Sequence, residues 1–249
     1  MIEAIEVRKQ FSGREIIHGV SALFESGKTN LIIGKSGSGK TVLLKTLVGL
    51  YGADSGDILY HGRSLKSLSQ QQRHSLRQEI GMLFQGSALI DSLTVEENVM
   101  FPLDMFTDMS HDERRRRARA CLDRVNIQSE AYKLFSSEIS GGMQKRVAIA
   151  RAIALKPRYL FCDEPNSGLD PLTASVIDRL IFDITKEFNI TTIINTHDMN
   201  SVMSIGEHII YIDSGNKEWE GSRETILEAD VATLKEFLSP LSNALSHKA

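Results

Sequence analysis

The sequence predicts an α/β fold in which helices cover a largely parallel β-sheet. Four short runs are apolar and rich in β-branched residues, as expected for buried strands: TNLIIG, RYLFCDE, TTIINTH and HIIYID. Helical patterns lie between these runs, and this alternation is typical of parallel sheets. With 41% hydrophobic and 24% charged residues, the composition is that of an ordinary globular protein.

The N-terminal part of the chain favours antiparallel strands. The segments MIEAIEV and EIIHGVSALFE alternate in polarity, which places Val20, Ala22 and Phe24 on one face. The segment SGDILYHGRSL has the pattern of a β-hairpin, with Ile58 and Tyr60 on a shared face. We therefore expect an N-terminal β subdomain.

A helix is predicted directly after TNLIIG and the glycine-rich loop that follows it. In TVLLKTLVGLYG, the leucines Leu43, Leu44, Leu47 and Leu50 recur at helical spacing, and Gly52 is the expected stop. This helix would pack its leucine face against the sheet.

The middle of the chain shifts to helix-forming residues. In SHDERRRRARACLDRVNI, Ser110 is the expected N-cap, because acidic residues follow in the first turn and arginines come later. The four arginines that begin at Arg114 are expected to form a solvated helix face. The alternative for them is contact with anionic lipid headgroups.

These segments predict one domain over residues 1–249. Residues 1–86 and 158–230 would form the core with its β subdomain, and residues 87–157 an inserted helical subdomain. Residues 231–249 are expected to form a short amphipathic helix and a loose tail.

Bulk properties exclude several classes of function. The net charge of −3 does not favour nucleic-acid binding, and the two cysteines, Cys121 and Cys162, favour a reducing compartment. The first residues do not follow the pattern of a signal peptide. No apolar run reaches the roughly 18 residues that span a membrane, so a membrane role would require a partner.

The segment GKSGSGKT fits the phosphate-binding pattern G-x-x-x-x-G-K-[ST] in full, with a predicted strand before it and a helix after it. Backbone N–H groups of such a loop surround phosphate, and the helix N-terminus adds its dipole. Lys40 is expected to reach the β- and γ-phosphates, and the Thr41 hydroxyl to bind Mg²⁺. The predicted ATP-binding residues of this loop are Gly34, Lys35, Ser36, Gly37, Ser38, Gly39, Lys40 and Thr41.

Two adjacent carboxylates end the apolar run RYLFCDE. Neighbouring side chains in a strand point to opposite faces, or diverge where the strand ends, which suits two different roles. Asp163 is expected to support Mg²⁺, and Glu164 to polarise the attacking water as a general base.

Further motifs resemble those of the ABC ATPases. ISGGMQKR is similar to the family's signature motif LSGGQ, and Gln85 lies where the family has its Q-loop. NSGLD ends in Asp170 and is similar to the D-loop, while NTHDM carries His197 at the position of the switch histidine. Phe11 lies where an aromatic residue of the family stacks on adenine.

The order of these motifs matches over nearly the whole chain, which is identified as a member of the ABC ATPases. The resemblance implies a P-loop NTPase fold of the ABC type, with an N-terminal antiparallel β subdomain and an inserted helical subdomain. It also implies ATP hydrolysis, with Gln85 near Mg²⁺ and His197 at the γ-phosphate.

The family resemblance also implies a homodimer. In ABC ATPases, the signature loop of one subunit faces the ATP that is bound by the phosphate loop of the other. Ser140, Gly141 and Gly142 would then contact the γ-phosphate across the interface, and Asp170 would help to join the subunits. We therefore expect a dimer that closes on ATP and opens after hydrolysis.

A membrane permease is the expected partner, and the ATPase would lie on the inner face of the cytoplasmic membrane. The permease would contact the helical subdomain near Gln85 and the apolar segment NVMFPL, for which core packing is the other interpretation. Met143 in the signature, FQGSALIDSLTVEENVMFPL and DEPNSGLDP together resemble the ATPases of the Mla/Mce lipid-trafficking systems. That resemblance implies transport of phospholipid or other lipids, with an MCE-domain lipid-binding protein and, in some systems, a STAS-domain subunit.

Three alternatives remain open from the sequence. The first is a transporter for another substrate, such as an amino acid, or a lipoprotein-release system. The second is a soluble ABC ATPase that works without a permease, as in iron–sulfur assembly or translation. The third is a binding module without catalysis, which the intact Lys40, Asp163, Glu164 and His197 argue against.

Overall fold

The computed structural model of the chain describes the backbone of residues 1–246 and the side chains of residues 1–239. The strands in this range are β1 (Ile2–Phe11), β2 (Arg14–Phe24), β3 (Thr29–Ile33), β4 (Ser55–Tyr60), β5 (Arg63–Ser64), β6 (Ile80–Leu83), β7 (Tyr159–Asp163), β8 (Thr191–Thr196), β9 (His208–Asp213) and β10 (Asn216–Gly221). The helices are α1 (Lys40–Leu47), α2 (Gln70–Gln78), α3 (Val95–Phe106), α4 (His111–Arg124), α5 (Gly141–Ile153), α6 (Pro171–Glu187), α7 (Met199–Ile205) and α8 (Ala232–Ser246).

The chain divides into two compact units. The first unit combines Met1–Gln70 with Thr191–Ala249, and the second is the continuous segment Gln71–Ile190. The first unit therefore draws its strands from both ends of the sequence.

The first unit contains the expected antiparallel sheet, in the order β2-β1-β4-β5. The predicted inward residues Val20, Ala22 and Phe24 of β2 are buried, as are Ile58 and Tyr60 of β4. The alternation in polarity thus gave the correct buried face. The hairpin prediction is also confirmed, because β4 and β5 pair in antiparallel fashion.

Parallel strands form the second sheet region of this unit. β3 pairs in parallel with β8 on one side and with β9 on the other, and β10 continues in antiparallel fashion from β9. All five residues of β3 are buried, and so are all six residues of β8. This confirms the interpretation of TNLIIG, TTIINTH and HIIYID as buried strands.

The predicted end of α1 was wrong. The helix ends at Leu47, and Leu50 is 55% exposed instead of sharing the buried leucine face. Gly49 has a φ of +81°, a conformation that favours glycine, and its N–H donates to the Thr46 carbonyl at 3.1 Å. The Leu50 N–H donates to the Lys45 carbonyl at 2.9 Å, which completes a Schellman motif. The earlier glycine therefore stops the helix, before Gly52 is reached.

The second unit contains the parallel strand pair β6 and β7, and α3, α4 and α5 lie between them in sequence. Ser110 is the N-cap of α4, as predicted, and Glu113 completes a capping box with it. Thr94 and Glu97 make the same motif at the start of α3. These caps fix the beginnings of both helices.

The arginine run of α4 is solvated only in part, so that prediction is partly wrong: Arg116 is exposed, whereas other arginines of the helix contact neighbouring elements. Arg115 and Arg119 both pair with Glu96 of α3, which is 8% exposed. The Arg117 side chain donates to the carbonyls of Ile153 and Ala154 at the end of α5, at 3.1 and 3.0 Å. These arginines therefore hold α4 to its neighbours within the second unit.

The C-terminal helix α8 extends to Ser246, beyond the short helix that was expected, and residues 247–249 of the predicted tail lie outside the described residues. Leu234 and Leu238 of α8 are buried, and the Phe237 ring lies 5.6 Å from that of Tyr211 in β9. The helix is thus packed onto the first unit by its apolar side.

None of the helices described for residues 1–246 has both the length and the apolar character that a membrane crossing requires.

Candidate nucleotide-binding site

The loop of residues 34–41 lies between the end of β3 and the first residues of α1, as the motif predicts. At Gly34, where φ is +155°, a Cβ would lie 2.2 Å from the carbonyl oxygen of Ile212 and 2.7 Å from the Ser38 hydroxyl. No side chain fits there unless the loop or the backbone of β9 moves. The loop is therefore folded tightly against the neighbouring strand.

Lys40 is buried beneath this loop. Its side chain is 5% exposed, and its ammonium donates to the carbonyls of Gly34 and Lys35 at 2.9 and 3.1 Å. An ammonium has three donors. The loop carbonyls thus hold the cation in the concavity where an anion would bind.

Thr41 is connected to β8 through a residue that the sequence motifs did not identify. The Asn195 side chain donates to the Thr41 hydroxyl at 3.1 Å, and Asn195 is completely buried. His197 lies two residues further on, directly after β8, and is exposed. The position of Asn195 beside the recognised histidine was the one available signal for it.

Phe11 lies at the end of β1 with 40% of its surface exposed. The Tyr51 ring meets it edge-on at 5.2 Å between centroids, and the Lys9 ammonium lies 5.2 Å from its centroid. Asp54 accepts hydrogen bonds from the Gln10 N–H at 2.7 Å and from Lys9 at 3.0 Å, and these two bonds lower the pKa of its carboxyl group. Phe11 is therefore held in place by its neighbours while part of its ring remains accessible.

The second residue of the loop, Lys35, pairs with Glu236 of α8 at 2.9 Å. The hydrogen bond to Glu236 raises the pKa of the Lys35 ammonium. Both side chains are well exposed, so this pair contributes little to stability. The contact shows that α8 lies beside the phosphate-binding loop.

In the second unit, the two acidic residues after β7 have different environments. Asp163 is the last residue of the strand and is 4% exposed. Glu164 follows with a φ of +46°, and its carbonyl accepts a hydrogen bond from the Ser167 N–H at 3.1 Å. A non-glycine residue at positive φ is uncommon, and such strain often occurs at functional sites. Asp163 is thus buried within the strand, whereas Glu164 is only partly buried just after it.

Gln85 and the D-loop segment contact each other in the second unit. The Gln85 amide donates to the Ser167 hydroxyl at 3.2 Å. Asp170 is the N-cap of α6, and its carboxylate accepts hydrogen bonds from the Thr173 N–H at 3.0 Å and from the Thr173 hydroxyl at 2.5 Å. The Thr173 hydroxyl makes the larger contribution to the lowered pKa of Asp170.

The signature segment forms the beginning of α5. Ser140 is the N-cap, and its hydroxyl accepts a hydrogen bond from the Met143 N–H at 3.3 Å. Ser140 and Gly141 are exposed, and no acidic residue lies in the first turn. The positive end of this helix is therefore accessible to an anion.

Two cations on α5 were not identified from the sequence, although they contact the Gln85 segment. Lys145 donates to the Gln85 carbonyl, and Arg151 donates to the carbonyls of Ser87 and Ala88. Nothing in the motif pattern distinguishes these two residues from the other basic residues of α5.

Each unit offers oxygen ligands of the kind that Mg²⁺ accepts when it is bound together with phosphate. Mg²⁺ prefers a few protein oxygens, with phosphate oxygens and water completing its coordination. The Thr41 hydroxyl is such a donor in the first unit, and the Gln85 amide and the Asp163 carboxylate are such donors in the second unit, so each of these side chains has the chemistry that suits the ion. Over the part of the chain that the structure describes, no group of three or more His, Cys, Asp or Glu residues could hold a metal without such help.

Comparison with known proteins agrees with these observations. Residues 17–167 match a family model described as "ABC transporter". A methionine import ATP-binding protein, MetN, of Rhizobium johnstonii is 38% identical over 89% of this chain and 60% of its own length. A probable ribonucleotide transport ATP-binding protein, mkl, of Mycobacterium leprae is 34% identical over 95% of this chain and 69% of its own length. The chain thus spans 60% of the length of the first of these relatives and 69% of the length of the second.

Solved structures give the same result for the fold. The dimeric structure of MJ0796, a bacterial ABC transporter cassette, has a TM-score of 0.82 at 32% identity and covers 90% of this chain and 99% of its own. The cbiO1 protein of Clostridium perfringens, part of the ABC transporter complex cbiONQ, has a TM-score of 0.84 at 27% identity over 98% of both chains. A further MJ0796 structure is of a post-hydrolysis state with bound ADP and Pi.

Proposed function

Because this chain belongs to the ABC transporter family, we propose that it is the ATP-hydrolysing subunit of a transporter whose permease is a separate chain. The observation that supports this activity most directly is the geometry of the phosphate-binding loop. Lys40 is buried beneath it, and Thr41 is fixed by Asn195. An unrelated glycine-rich turn would have no reason to bury an ammonium among its own carbonyls.

Each residue of the loop has a role in binding ATP. Lys40 contacts the β- and γ-phosphates, and the loop N–H groups bind the remaining phosphate oxygens. The accessible face of Phe11 stacks on the adenine ring. Thr41, Gln85 and Asp163 would hold Mg²⁺, which neutralises charge on the phosphates when it is bound.

Hydrolysis requires an activated water beside the γ-phosphate. Glu164 is the general base, because it follows the strand end directly, whereas Asp163 is the buried last residue of the strand. His197 contacts the γ-phosphate and holds the attacking water in place. Together they position and deprotonate the water without forming a covalent intermediate.

A dimer of this chain would contain two complete sites. Each chain has one phosphate-binding loop and one signature segment, and Ser140, Gly141 and Gly142 complete the site of the partner copy. The exposed, positive N-terminus of α5 suits the γ-phosphate. Asp170, which caps α6 within its own subunit, contributes to the contact between the two copies.

Complementation between two inactive variants tests the shared site. Lys40→Met removes the phosphate contact, and Gly141→Glu adds a negative charge at a position where no atom lies within 4 Å of a new Cβ. Each variant alone is expected to lack ATPase activity. Their mixture should regain about one quarter of the wild-type rate, because half of randomly assembled dimers are mixed and one of their two sites is intact.

The wild-type chain provides the control for this experiment. Its ATPase rate per subunit should fall on dilution, because the dimer dissociates. A mixture that stays inactive while mixed dimers form would show that the sites are not shared.

The permease would contact the second unit through α3 and the segment after Gln85. Phe101 and Met105 of α3 are 40% and 59% exposed, whereas Val99 and Leu103 are buried. The segment NVMFPL thus provides both core residues and an accessible apolar surface. A short helix of the permease would cover that surface.

A charge at this surface should separate the two proteins. Met105→Glu is expected to lower the amount of permease that co-purifies by about tenfold or more. The ATPase rate of the isolated chain should stay unchanged. Leu50→Glu is the matched control, because Leu50 is similarly exposed but lies in the first unit. Equal loss of permease with both variants would contradict this docking surface.

For the transported substrate we propose lipid, most simply phospholipid. The support is the resemblance of the signature, Q-loop and D-loop segments to the Mla/Mce ATPases. The further partners would then be an MCE-domain lipid-binding protein and a STAS-domain subunit, and the ATPase would act on the inner face of the cytoplasmic membrane. No nucleic acid is required.

Transport of a small polar solute is the second candidate, and the relatives support it. One of them is named for methionine import at 38% identity and another for ribonucleotide transport at 34% identity. Purification of the chain with its membrane partners distinguishes the two. An MCE-domain protein in the complex, with ATPase stimulated by phospholipid, would support lipid transport. A soluble solute-binding protein in the complex, with ATPase activity stimulated by methionine or a ribonucleotide, would exclude lipid transport.

A further inference from the structure

Helix α5, which begins with the signature segment, donates side-chain hydrogen bonds to the backbone around Gln85. The Lys145 ammonium donates to the carbonyl of Gln85 itself. The Arg151 guanidinium donates to the carbonyl of Ala88, which is three residues after Gln85, at 2.6 Å. Its other amino group donates to the carbonyl of Ser87 at 2.7 Å. All of these groups belong to the second unit.

The charged groups of Lys145 and Arg151 both lose hydration because they are buried. Lys145 is 4% exposed, and burial lowers the pKa of its ammonium. Burial likewise lowers the pKa of Arg151. Hydrogen bonds to carbonyl oxygens offset this loss of hydration only while the carbonyls stay in place. The two side chains therefore favour one conformation of the Gln85 segment.

That conformation is a strained one. Ser87 and Ala88 have φ values of +62° and +48°, which non-glycine residues rarely adopt. The Ser87 N–H donates to the Phe84 carbonyl at 2.9 Å, so the chain turns sharply at this point. Without the bonds from Arg151, the segment has lower-energy conformations available to it.

We propose that Lys145 and Arg151 are positioning residues for Gln85, which hold its segment to the signature helix and so deliver its side chain to the nucleotide-bound Mg²⁺. This rests on the proposed role of Gln85. It also means that a displacement of the start of α5, where a partner's ATP would bind, moves Gln85 as well. The Gln85 amide contacts Ser167 in this structure, at 3.2 Å.

Binding of the non-hydrolysable analogue AMP-PNP to the full chain tests this, measured calorimetrically with Mg²⁺ and with EDTA. The gain in affinity from Mg²⁺ is expected to fall about tenfold in Lys145→Met and in Arg151→Met, as it should in Gln85→Ala. Affinity in EDTA should be unchanged, because the phosphate-binding loop is intact. In the double variant Lys145→Met/Gln85→Ala, the gain should match that of Gln85→Ala alone.

Arg146→Met is the matched control on the same helix. Its guanidinium donates to the Asn126 carbonyl at 3.0 Å, away from the Gln85 segment. If Lys145→Met or Arg151→Met fails to fold, the conservative variants Lys145→Arg and Arg151→Lys are used instead. Both should give a gain in affinity from Mg²⁺ between that of the wild type and that of Gln85→Ala. Lower melting temperatures with an unchanged gain from Mg²⁺ would overturn the positioning role.

The failures can be told apart. If Gln85→Ala keeps the full gain from Mg²⁺, Gln85 has no role toward the ion and the positioning role falls with it. If Gln85→Ala loses the gain while Lys145→Met and Arg151→Met keep it, only the positioning role is wrong. If the wild-type chain does not bind AMP-PNP at all, the proposed ATPase function itself is wrong.

Discussion

Replacement of Glu164 by Gln is expected to lower ATP turnover by about 10²–10⁴-fold, the usual contribution of a general base. Gln has the same shape but does not accept a proton from water. The strained backbone at residue 164 should survive, because the bond from the Ser167 N–H involves only main-chain atoms. ATP binding is therefore retained, and the closed dimer should accumulate because it no longer hydrolyses its ligand.

Phosphate release and light scattering with ATP measure the two effects together. Glu130→Gln is a suitable control, since Glu130 is an exposed carboxylate of the same unit. Full turnover in Glu164→Gln would remove Glu164 from the role of base. Loss of turnover without dimer accumulation would indicate that ATP binding had been damaged instead.

The second large effect is expected from Gly34→Ala. The new Cβ would lie 2.2 Å from the Ile212 carbonyl oxygen, so either the phosphate-binding loop or β9 must move. Such an overlap, with the unfavourable φ, should lower the free energy of unfolding by about 2–4 kcal/mol. Affinity for ATP should fall by about 30-fold or more, because the loop N–H groups lose their common direction.

Urea denaturation measures the change in the free energy of unfolding, and titration with a fluorescent ATP analogue measures the change in affinity. Gly52→Ala is the matched control, because open space surrounds its Cβ position and its φ is not positive. That control should differ from wild type by about 0.5 kcal/mol at most. Wild-type stability and affinity in Gly34→Ala would show that the loop tolerates a rearrangement that this structure does not contain.

Much of the fold could be predicted from the sequence, because burial leaves a strong pattern. β3 and β8 are buried along their whole lengths, and apart from Asn30 and Asn195 their residues are apolar or β-branched. The cap at Ser110 was predictable because the capping box is local in sequence. The end of α1 was not, since two glycines lie close together and only the backbone conformation shows which one ends the helix.

Contacts distant in sequence explain the remaining errors and omissions. Charge composition alone made the arginines of α4 look solvent-facing, whereas Glu96, 19 residues before Arg115, binds two of them. The contacts of Lys145 and Arg151 with the Gln85 segment span about 60 residues. A sequence motif identifies residues that act together with their neighbours in sequence. It does not show which carbonyl, distant in sequence, will accept a hydrogen bond from a given lysine.

The pairing of β3 has a consequence for synthesis on the ribosome. Its neighbours β8 and β9 are encoded about 160 and about 180 residues later, and Asn195, which donates to Thr41, lies on β8. At elongation rates of about 5–20 residues per second, β3 therefore waits about 10–30 s for its partners. Throughout that time Leu31, Ile32 and Ile33 lack the strands that bury them, and the phosphate-binding loop after them is unfinished, so we expect chaperones to assist the nascent chain.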